Sequence, residues 1–454
     1  MKTSNRIIRN INFQSFVSDL SFHICLFIFV LLLLTSCDTT EPPSSHKLTL
    51  TEEDASCTEA WLNLKLDNIS LPTEVSLKQN DSTIITATIN SSDTTLYIKN
   101  LLPNRTYSFY STISSFQNSS AIKSNNVSIT TMDTTSHDIT WETFTIGDGG
   151  LLRDVAVINE NNIWAVGEIH TAETDQFDSN GVWVQPYNAV HWNGEKWKLI
   201  RIGGYGYWAY STVFAFESDD VWFDGTVQWD GQKYTAHMNN FPLEPNGDGW
   251  MVYGMWGTSS KDFYVVGNGG NIAHYNGNSW KKIESGTDVD LVDIWGSSDG
   301  KKIWVCGNDD FKPTVLLKIV NKKADVLYSS SDNRFSYNFN QLSGDFTSIW
   351  TNKSNSLYIL TAYDLYRIYK DNISRPTPLW KNREQIATRK ARGTSSNNIF
   401  IVGENGSLSH YNGVSWKTYN ELSKGFREYK SISVTKNIIV AVGEDKIIVS
   451  TTKK

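Results

Sequence analysis

The sequence predicts an all-β protein in which a β-sandwich of under a hundred residues precedes a seven-bladed β-propeller, with six blades as the alternative count. Three observations carry this prediction. Thirty glycines and ten prolines punctuate short runs rich in Val, Ile, Tyr and Trp, and no extended stretch shows the apolar period of a helix. One strand phrase returns seven times between residues 162 and 443. The hairpin phrase "HYNGNSW" at 274–280 returns as "HYNGVSW" at 410–416 and, more loosely, as "HWNGEKW" at 191–197. Self-similarity of this kind marks a repeat architecture. With 454 residues, 39% of them hydrophobic and 17 of them Trp, the chain has enough apolar surface for more than one core.

At the N-terminus, Lys2, Arg6 and Arg9 precede the apolar run from Ile24 to Leu34, which ends in Thr35-Ser36-Cys37. Eleven apolar residues are too few to span a bilayer but suit the core of a secretory signal. Leu34-Thr35-Ser36-Cys37 resembles the bacterial lipobox. That resemblance implies a signal peptide over 1–36, lipidation of Cys37, and a tether over 37–46. It places the protein in the bacterial cell envelope, anchored at the outer membrane on its periplasmic side or at the cell surface. Loss of residues 1–36 removes three positive charges and one negative, so the net charge moves from −7 to −9. An acidic chain of this kind is not expected to bind nucleic acid. Cys57 and Cys306 fall in different predicted domains, so each is read as a small buried residue and no disulfide framework is expected.

Residues 47–133 alternate in short runs such as "AWLNLKL", "STIITATI" and "TYSFYSTI", separated by Asn, Asp and Ser clusters. This is the pattern of a β-sandwich. Within it, Leu101, Pro103 and Tyr107 in "LLPNRTYSFYSTI" resemble the fibronectin type III signature. The resemblance implies a corner role for Tyr107 and a core role for Trp61. Domains of that family are usually spacers or adhesion modules, so a stalk is expected.

The repeated strand reads "NIWAVG" (162–167), "DVWFDG" (220–225), "DFYVVG" (262–267), "KIWVCG" (302–307), "SLYILT" (356–361), "NIFIVG" (398–403) and "IIVAVG" (438–443). Its basal period near 40 residues, with two insertions, is that of a four-stranded blade. Around each copy the order is constant: an inner strand, the aligned strand, an Asn-Gly hairpin, and an outer strand opened by Trp197, Trp280 or Trp416. The Asn-Gly pair predicts a two-residue turn with both residues at positive φ. His191, His274 and His410 hold one equivalent position in three blades, so symmetry should keep them apart and no shared metal site is expected. The seventh copy has only three strands before the chain ends. The segment "TWETFTIG" at 140–147 is expected to supply the fourth and close a propeller spanning 139–454.

"MWGTSSKDFYVVGNGGNIAHYNGNSWKKIESGT" and "RGTSSNNIFIVGENGSLSHYNGVSW" resemble the propeller repeats of bacterial exported proteins related to the YCF48-like and BNR-type groups. The combination of lipobox, fibronectin-like module and propeller resembles a set of bacterial lipoproteins, some of which are described as glucosyltransferases. The residues do not support that activity. No βαβ nucleotide-binding unit, G-x-S-x-G elbow, H-E-x-x-H helix or P-loop is present, and "SSDGKKIW" at 297–304 lacks the Asp-box spacing of sialidases. No cofactor and no metal are expected. The acidic insertion at 168–188 carries Glu168, His170, Glu173, Asp175 and Asp178, but its spacing matches no calcium loop.

In a propeller the connections after second strands and before first strands share one end. Aromatic residues crowd those connections here. Trp183, Tyr187, Tyr205, Tyr207, Trp208 and Trp250 form the predicted recognition surface, with Phe335 and Tyr337 beside it. Trp256, Trp295 and Trp350, which end inner strands, are read as packing between blades. The expected function is non-catalytic binding or scaffolding of a glycan or an envelope protein. A glycan-active enzyme is the alternative, and arginines clustered with carboxylates at the channel mouth would favour it. Replacing Trp183, Tyr207 and Trp208 together by alanine is expected to abolish binding without lowering thermal stability; a large fall in melting temperature would show instead that these residues pack the loops.

Overall fold

The computed structural model describes residues 46–451 apart from 115–120, 204–208, 246, 310–311, 331–341, 343, 354, 382–385, 424–426 and 445. The predicted signal peptide, Cys37 and all but the last residue of the predicted tether lie outside the described residues. The described chain is almost entirely strand, with two single-turn 3-10 helices, Asn268–Gly270 and Asn420–Leu422. It forms two compact units. The smaller contains residues up to Asp54, Trp61–Tyr97 and Tyr107–Ile129; the larger contains Ala55–Ala60, Ile98–Thr106 and everything from Thr130 onward.

In the smaller unit, Lys47–Ala55, Ala60–Asp67 and Asp93–Ile98 form one sheet. Ser82–Ile89, Thr73–Gln79, Thr106–Ile113 and Ile122–Lys123 form the other, with Val127–Thr130 also paired to Thr106–Ile113. Alternation puts Leu62, Leu64 and Leu66 on one buried face and Val75, Leu77 and Phe109 on another. Trp61 is buried and stacks on Tyr97 with ring centroids 5.3 Å apart.

In the larger unit, seven four-stranded antiparallel sheets follow one another along the chain. Six of them span 149–200, 213–236, 252–283, 291–329, 346–381 and 388–418. The seventh joins Tyr429–Val434, Ile439–Gly443 and Lys446–Thr451 to Thr140–Thr145, with Ile448 opposite Thr143. The first strand of each sheet lies against the first strand of the next, and that of the seventh lies against that of the first.

The second and third strands of these sheets are buried on both faces, which explains their nearly continuous apolar runs. Each sheet shares a separate apolar cluster with each neighbour. Trp164, Val166 and Val213 join sheets 1 and 2, and Val266, Leu291 and Val305 join sheets 3 and 4. Ile163, Val190 and Val440 join sheet 1 to sheet 7. Burying one such side chain contributes roughly 1.5–3 kcal/mol.

A β-bulge recurs near the start of the first strand in six sheets, between Leu152 and Asp154, Val252 and Gly254, Leu291 and Asp293, Phe346 and Ser348, Thr388 and Lys390, and Tyr429 and Ser431. The residue before each bulge is buried. Opposite it stands the last residue of the aligned phrase, usually glycine. That glycine is required by close approach: a Cβ at Gly267 would lie 1.8 Å from the Met251 carbonyl oxygen, and one at Gly443 2.0 Å from that of Glu428.

The Asn-Gly hairpins differ from the expected two-residue turn. Gly194, Gly277 and Gly413 have positive φ, but their preceding asparagines do not. The asparagine side chain organises a longer loop instead. Asn276 Oδ1 accepts the amides of Asn278 and Ser279, and Asn193 and Asn412 repeat the arrangement. Asp230 does the same in sheet 2, where the phrase reads "QWDGQKY" at 228–234.

Gly267→Ala is expected to lower stability by about 2–3 kcal/mol, since a backbone carbonyl must move. Gly149→Ala, whose Cβ would meet nothing within 4 Å, should change it by less than about 0.5 kcal/mol. Thermal melts of the two variants check this.

Candidate functional site

The bulges set one residue per sheet into the inner ring, and most of these are polar: Asp154, Gly254, Asp293, Ser348, Lys390 and Ser431. Two of the carboxylates make the same bridge at different places. Asp154 accepts Thr212 Oγ1 at 2.8 Å and the Val213 amide at 3.0 Å from sheet 2, and Ser431 Oγ at 2.6 Å from sheet 7. Asp293 accepts Ser348 Oγ at 2.7 Å and the Ile349 amide at 2.9 Å from sheet 5. From sheet 6 it also receives Lys390 Nζ at 2.9 Å and both Arg392 Nη atoms at 2.8 and 3.0 Å.

Asp154, Thr212, Asp293, Lys390, Arg392 and Ser431 border a cavity of about 220 Å³ inside the ring, which Trp295 and Trp350 also line. Burial pushes the Asp293 carboxyl up, but the Arg392 guanidinium and the Lys390 ammonium outweigh it and hold the group well below the usual carboxylate range. Arg392 also lies over the Trp295 ring at 4.4 Å. Asp293, Lys390 and Arg392 are therefore engaged with one another and stitch three sheets together, while Asp154 is held by hydroxyls and an amide.

At the loop-bearing end, arginine and carboxylate do meet. Arg389 contacts Glu428 and, at 2.7 Å, Glu404, and Lys430 lies 2.5 Å from Glu428. Burial raises Glu428, but Lys430 and Arg389 bring it below its ordinary value, so this cluster is self-neutralised. Among the described residues the carboxyl shifted toward neutrality is Asp224, pushed up to about 7 chiefly by desolvation, against the Thr212 and Ser211 amides that it accepts.

The predicted surface residues separate. Tyr205, Tyr207 and Trp208 lie outside the described residues, as do Phe335 and Tyr337. Trp250 is not on the surface: it is 7% exposed, stacks on Phe241 at 5.2 Å and donates Nε1 to the Pro242 carbonyl. Its place in the connection 239–250 puts it on the loop-bearing face in the sequence, but Phe241 and Pro242 of that connection fold over it. Tyr187 is half-buried, with Arg201 over its ring at 3.8 Å and its hydroxyl donating to Glu173. Trp183 is 41% exposed and meets Phe177, itself 68% exposed, edge to face at 5.2 Å.

These last two belong to an ordered hairpin within the insertion of sheet 1. Asp175 and Val184 pair through the backbone, as do Gln176 with Val184 and Asp178 with Val182. His170 Nδ1 lies 2.6 Å from Asp175 and its Nε2 3.2 Å from Glu168, which together raise its pKa, the Asp175 bond most. The acidic residues thus secure the base of the hairpin. Among the described residues no group of three or more His, Cys, Asp or Glu side chains is placed to hold a metal ion.

The three repeated histidines have one structural role. His191, His274 and His410 bond Asn162, Asp262 and Asn398 at 2.9, 2.6 and 3.0 Å, each the start of the neighbouring strand. Each also packs on an aromatic ring of that strand, Trp164, Tyr264 or Phe400. Burial lowers all three, His410 to about 3 with help from His137 and Lys417.

The inner ring residues escaped the sequence reading because only the second strands were aligned. Aligning "RDVAV", "VDIWG", "TSIWT", "RKARG" and "KSISV" would have exposed one polar position per copy. Asp293→Asn leaves Lys390 and Arg392 buried without a counter-charge and should cost about 3–5 kcal/mol. Because the folded carboxyl is depressed, its contribution is complete above an unfolded pKa of about 3.9 and is lost as pH falls further. The stability difference between wild type and Asp293→Asn should be flat from about pH 5 to 8 and shrink below about pH 4; denaturant titrations across that range measure it.

No known protein family matches this chain, and no curated protein matches it. Solved structures do. YCF48 bound to D1 peptide aligns with a TM-score of 0.51 and 12% identity, covering 71% of this chain and 100% of that one. YCF48 from Cyanidioschyzon merolae aligns at 0.50 with 13% identity, covering 68% and 98%. Virginiamycin B lyase from Staphylococcus aureus aligns at 0.47 with 11% identity, covering 70% and 100%. Its seven consecutive four-stranded sheets and this likeness to YCF48 make the chain an all-β protein with a β-propeller fold.

Proposed function

We propose that this is a lipid-anchored protein of the bacterial envelope whose seven-bladed propeller is a non-catalytic docking module for a protein partner. A fibronectin type III-like sandwich acts as its stalk and Cys37 carries the lipid. The seven inter-sheet clusters support the blade count, and the three- and five-stranded sheets of the smaller unit support the stalk.

The observation that carries the binding role is the hairpin of the first sheet. Phe177, Val182 and Trp183 are respectively 68%, 60% and 41% exposed on a backbone held by its own hydrogen bonds. Beyond the edge-to-face contact between Phe177 and Trp183, an ordered loop gains little for the fold from large apolar side chains held in water, whereas a partner that covers them gains their burial. Leu243 and Met251, on the connection that enters the third sheet, add exposed apolar surface at the same end. One propeller of similar fold has been solved with a peptide bound, which is compatible with this reading. Arg389, Glu404, Glu428 and Lys430 are the kind of cluster that would favour the enzyme alternative, but their charges are paired with one another, so the docking reading rests on the hairpin.

The test is cross-linking in intact envelopes, comparing wild type with the double variant Phe177→Ser, Trp183→Ser. A discrete adduct should form with wild type and disappear in the variant, with the melting temperature unchanged because both side chains are exposed. An adduct that survives the substitutions, or a variant that unfolds, refutes the docking role. Cys37→Ser should move the protein from the membrane to the soluble fraction; retention on the membrane refutes the lipid anchor.

A further inference from the structure

Trp256, Trp295 and Trp350 end the first strands of three successive sheets, at the end of the ring opposite the loop-bearing one. Their place in the repeat points to packing, and two of them do pack. A Cβ on Gly296 would lie 2.3 Å from the Trp256 ring, and one on Gly393 3.1 Å from the Trp350 ring, so each indole rests on the glycine of a neighbouring sheet. Trp256 and Trp350 are accordingly buried.

Trp295 is different, being only half-buried. Its Nε1 donates to the Thr351 carbonyl at 3.0 Å, and Arg392 covers its ring from the cavity side at 4.4 Å. The indole is thereby fixed in orientation without being enclosed. Around it lies a recess of about 450 Å³ that all three tryptophans border, within the range of roughly 300–1,000 Å³ typical of small-molecule sites.

The rest of its wall is hydroxyl, amide and backbone: Thr258, Ser298, Thr351, Asn352 and Thr394 are its polar side chains, and none of its described wall residues is charged. Asn352 Oδ1 is buried there and makes no hydrogen bond among the described residues. An unsatisfied buried acceptor is costly; this oxygen is closed to solvent, so a ligand hydroxyl removes that cost by turning the Asn352 side chain toward the recess. Arg392, which lies over the Trp295 ring, and Lys390 are already bound to Asp293. A charged ligand would therefore be desolvated here without a counter-ion. A rigid indole beside uncharged hydrogen-bonding groups suits a molecule with an apolar C–H face and hydroxyl edges.

We propose that this recess is a binding site for a neutral saccharide of one or two rings. Trp295 forms the platform, and Asn352 with the hydroxyls of Thr258 and Ser298 engages the sugar hydroxyls. The site lies at the opposite end from the hairpin that carries the docking role and does not depend on it.

The test uses the full chain with cellobiose, maltose and N,N′-diacetylchitobiose, each at up to about 10 mM, and glucuronic acid as a charged control. Saturation-transfer NMR and tryptophan fluorescence are the readouts. At least one neutral disaccharide should bind with a Kd of about 1 mM or tighter. Asn352→Ala should weaken it by about tenfold, the loss of roughly 1.4 kcal/mol of polar contact. Trp295→Ala should abolish it, and Phe177→Ser, Trp183→Ser should leave it unchanged. Asn352→Ala alone decides the matter if removal of the Trp295 indole unfolds the chain. Binding of none of the three disaccharides, binding indifferent to Asn352→Ala, or equal binding of glucuronic acid would overturn the proposal.

Discussion

A four-stranded sheet that is apolar on both faces cannot be stable by itself, and this requirement governs the larger unit. Its second and third strands have almost no solvated side, so every sheet needs a neighbour on each flank. A row of such sheets would leave two raw faces. A ring leaves none, and the cluster uniting Ile163 and Val190 of the first sheet with Val440 and Ile447 of the seventh is what completes it. Thr140–Thr145 then covers the outer edge of the last sheet from the opposite end of the unit's chain, so closure is made by both ends at once.

The same constraint reaches the interior. Sheets that meet at their first strands must turn there, and the repeated bulge provides the local bend. The bulge brings a backbone carbonyl against the neighbouring strand, which leaves room only for glycine at positions such as 267 and 443. It also sets a polar side chain into the ring, where Asp154 and Asp293 span adjacent sheets. Thus one backbone irregularity accounts for the glycine at 167, 267, 307, 403 and 443, although Thr361 stands opposite the same bulge in the fifth sheet, and for the polar inner ring with its cavity beside Asp293. The charges gathered there serve cohesion; of the two ends of the ring, one carries the hairpin with Phe177 and Trp183 and the other the recess around Trp295.

The repeats made much of this legible. The period near 40, the incomplete last copy and the recurrent tryptophans lead to four-stranded sheets and a closing N-terminal strand because they report local, repeated burial. The histidine position was legible too as a structural one, since equivalent places in a ring stand apart. What failed were inferences that depend on how a particular loop lies. Trp250 was assigned to a surface on the strength of its connection, yet Phe241 and Pro242 fold over it. The Asn-Gly phrase suggested a two-residue turn, but the asparagine carboxamide accepts two amides and supports a longer loop. Phe177 was passed over although it lies in the same insertion as Trp183, because nothing in a sequence tells which aromatic of a loop turns outward.

By itself, the sequence determined the strand content, the repeat and its register, because alternation and period are properties of consecutive residues. The pairing of Asp293 with Lys390 and Arg392, nearly a hundred positions away, and the gathering of Trp256, Trp295 and Trp350 around one recess were decided only by the tertiary structure. Those contacts join different copies of the repeat. Which copies face one another, and which side chains remain uncovered when they do, depends on ring closure and on the folding of individual loops, and neither is written in any single stretch of chain.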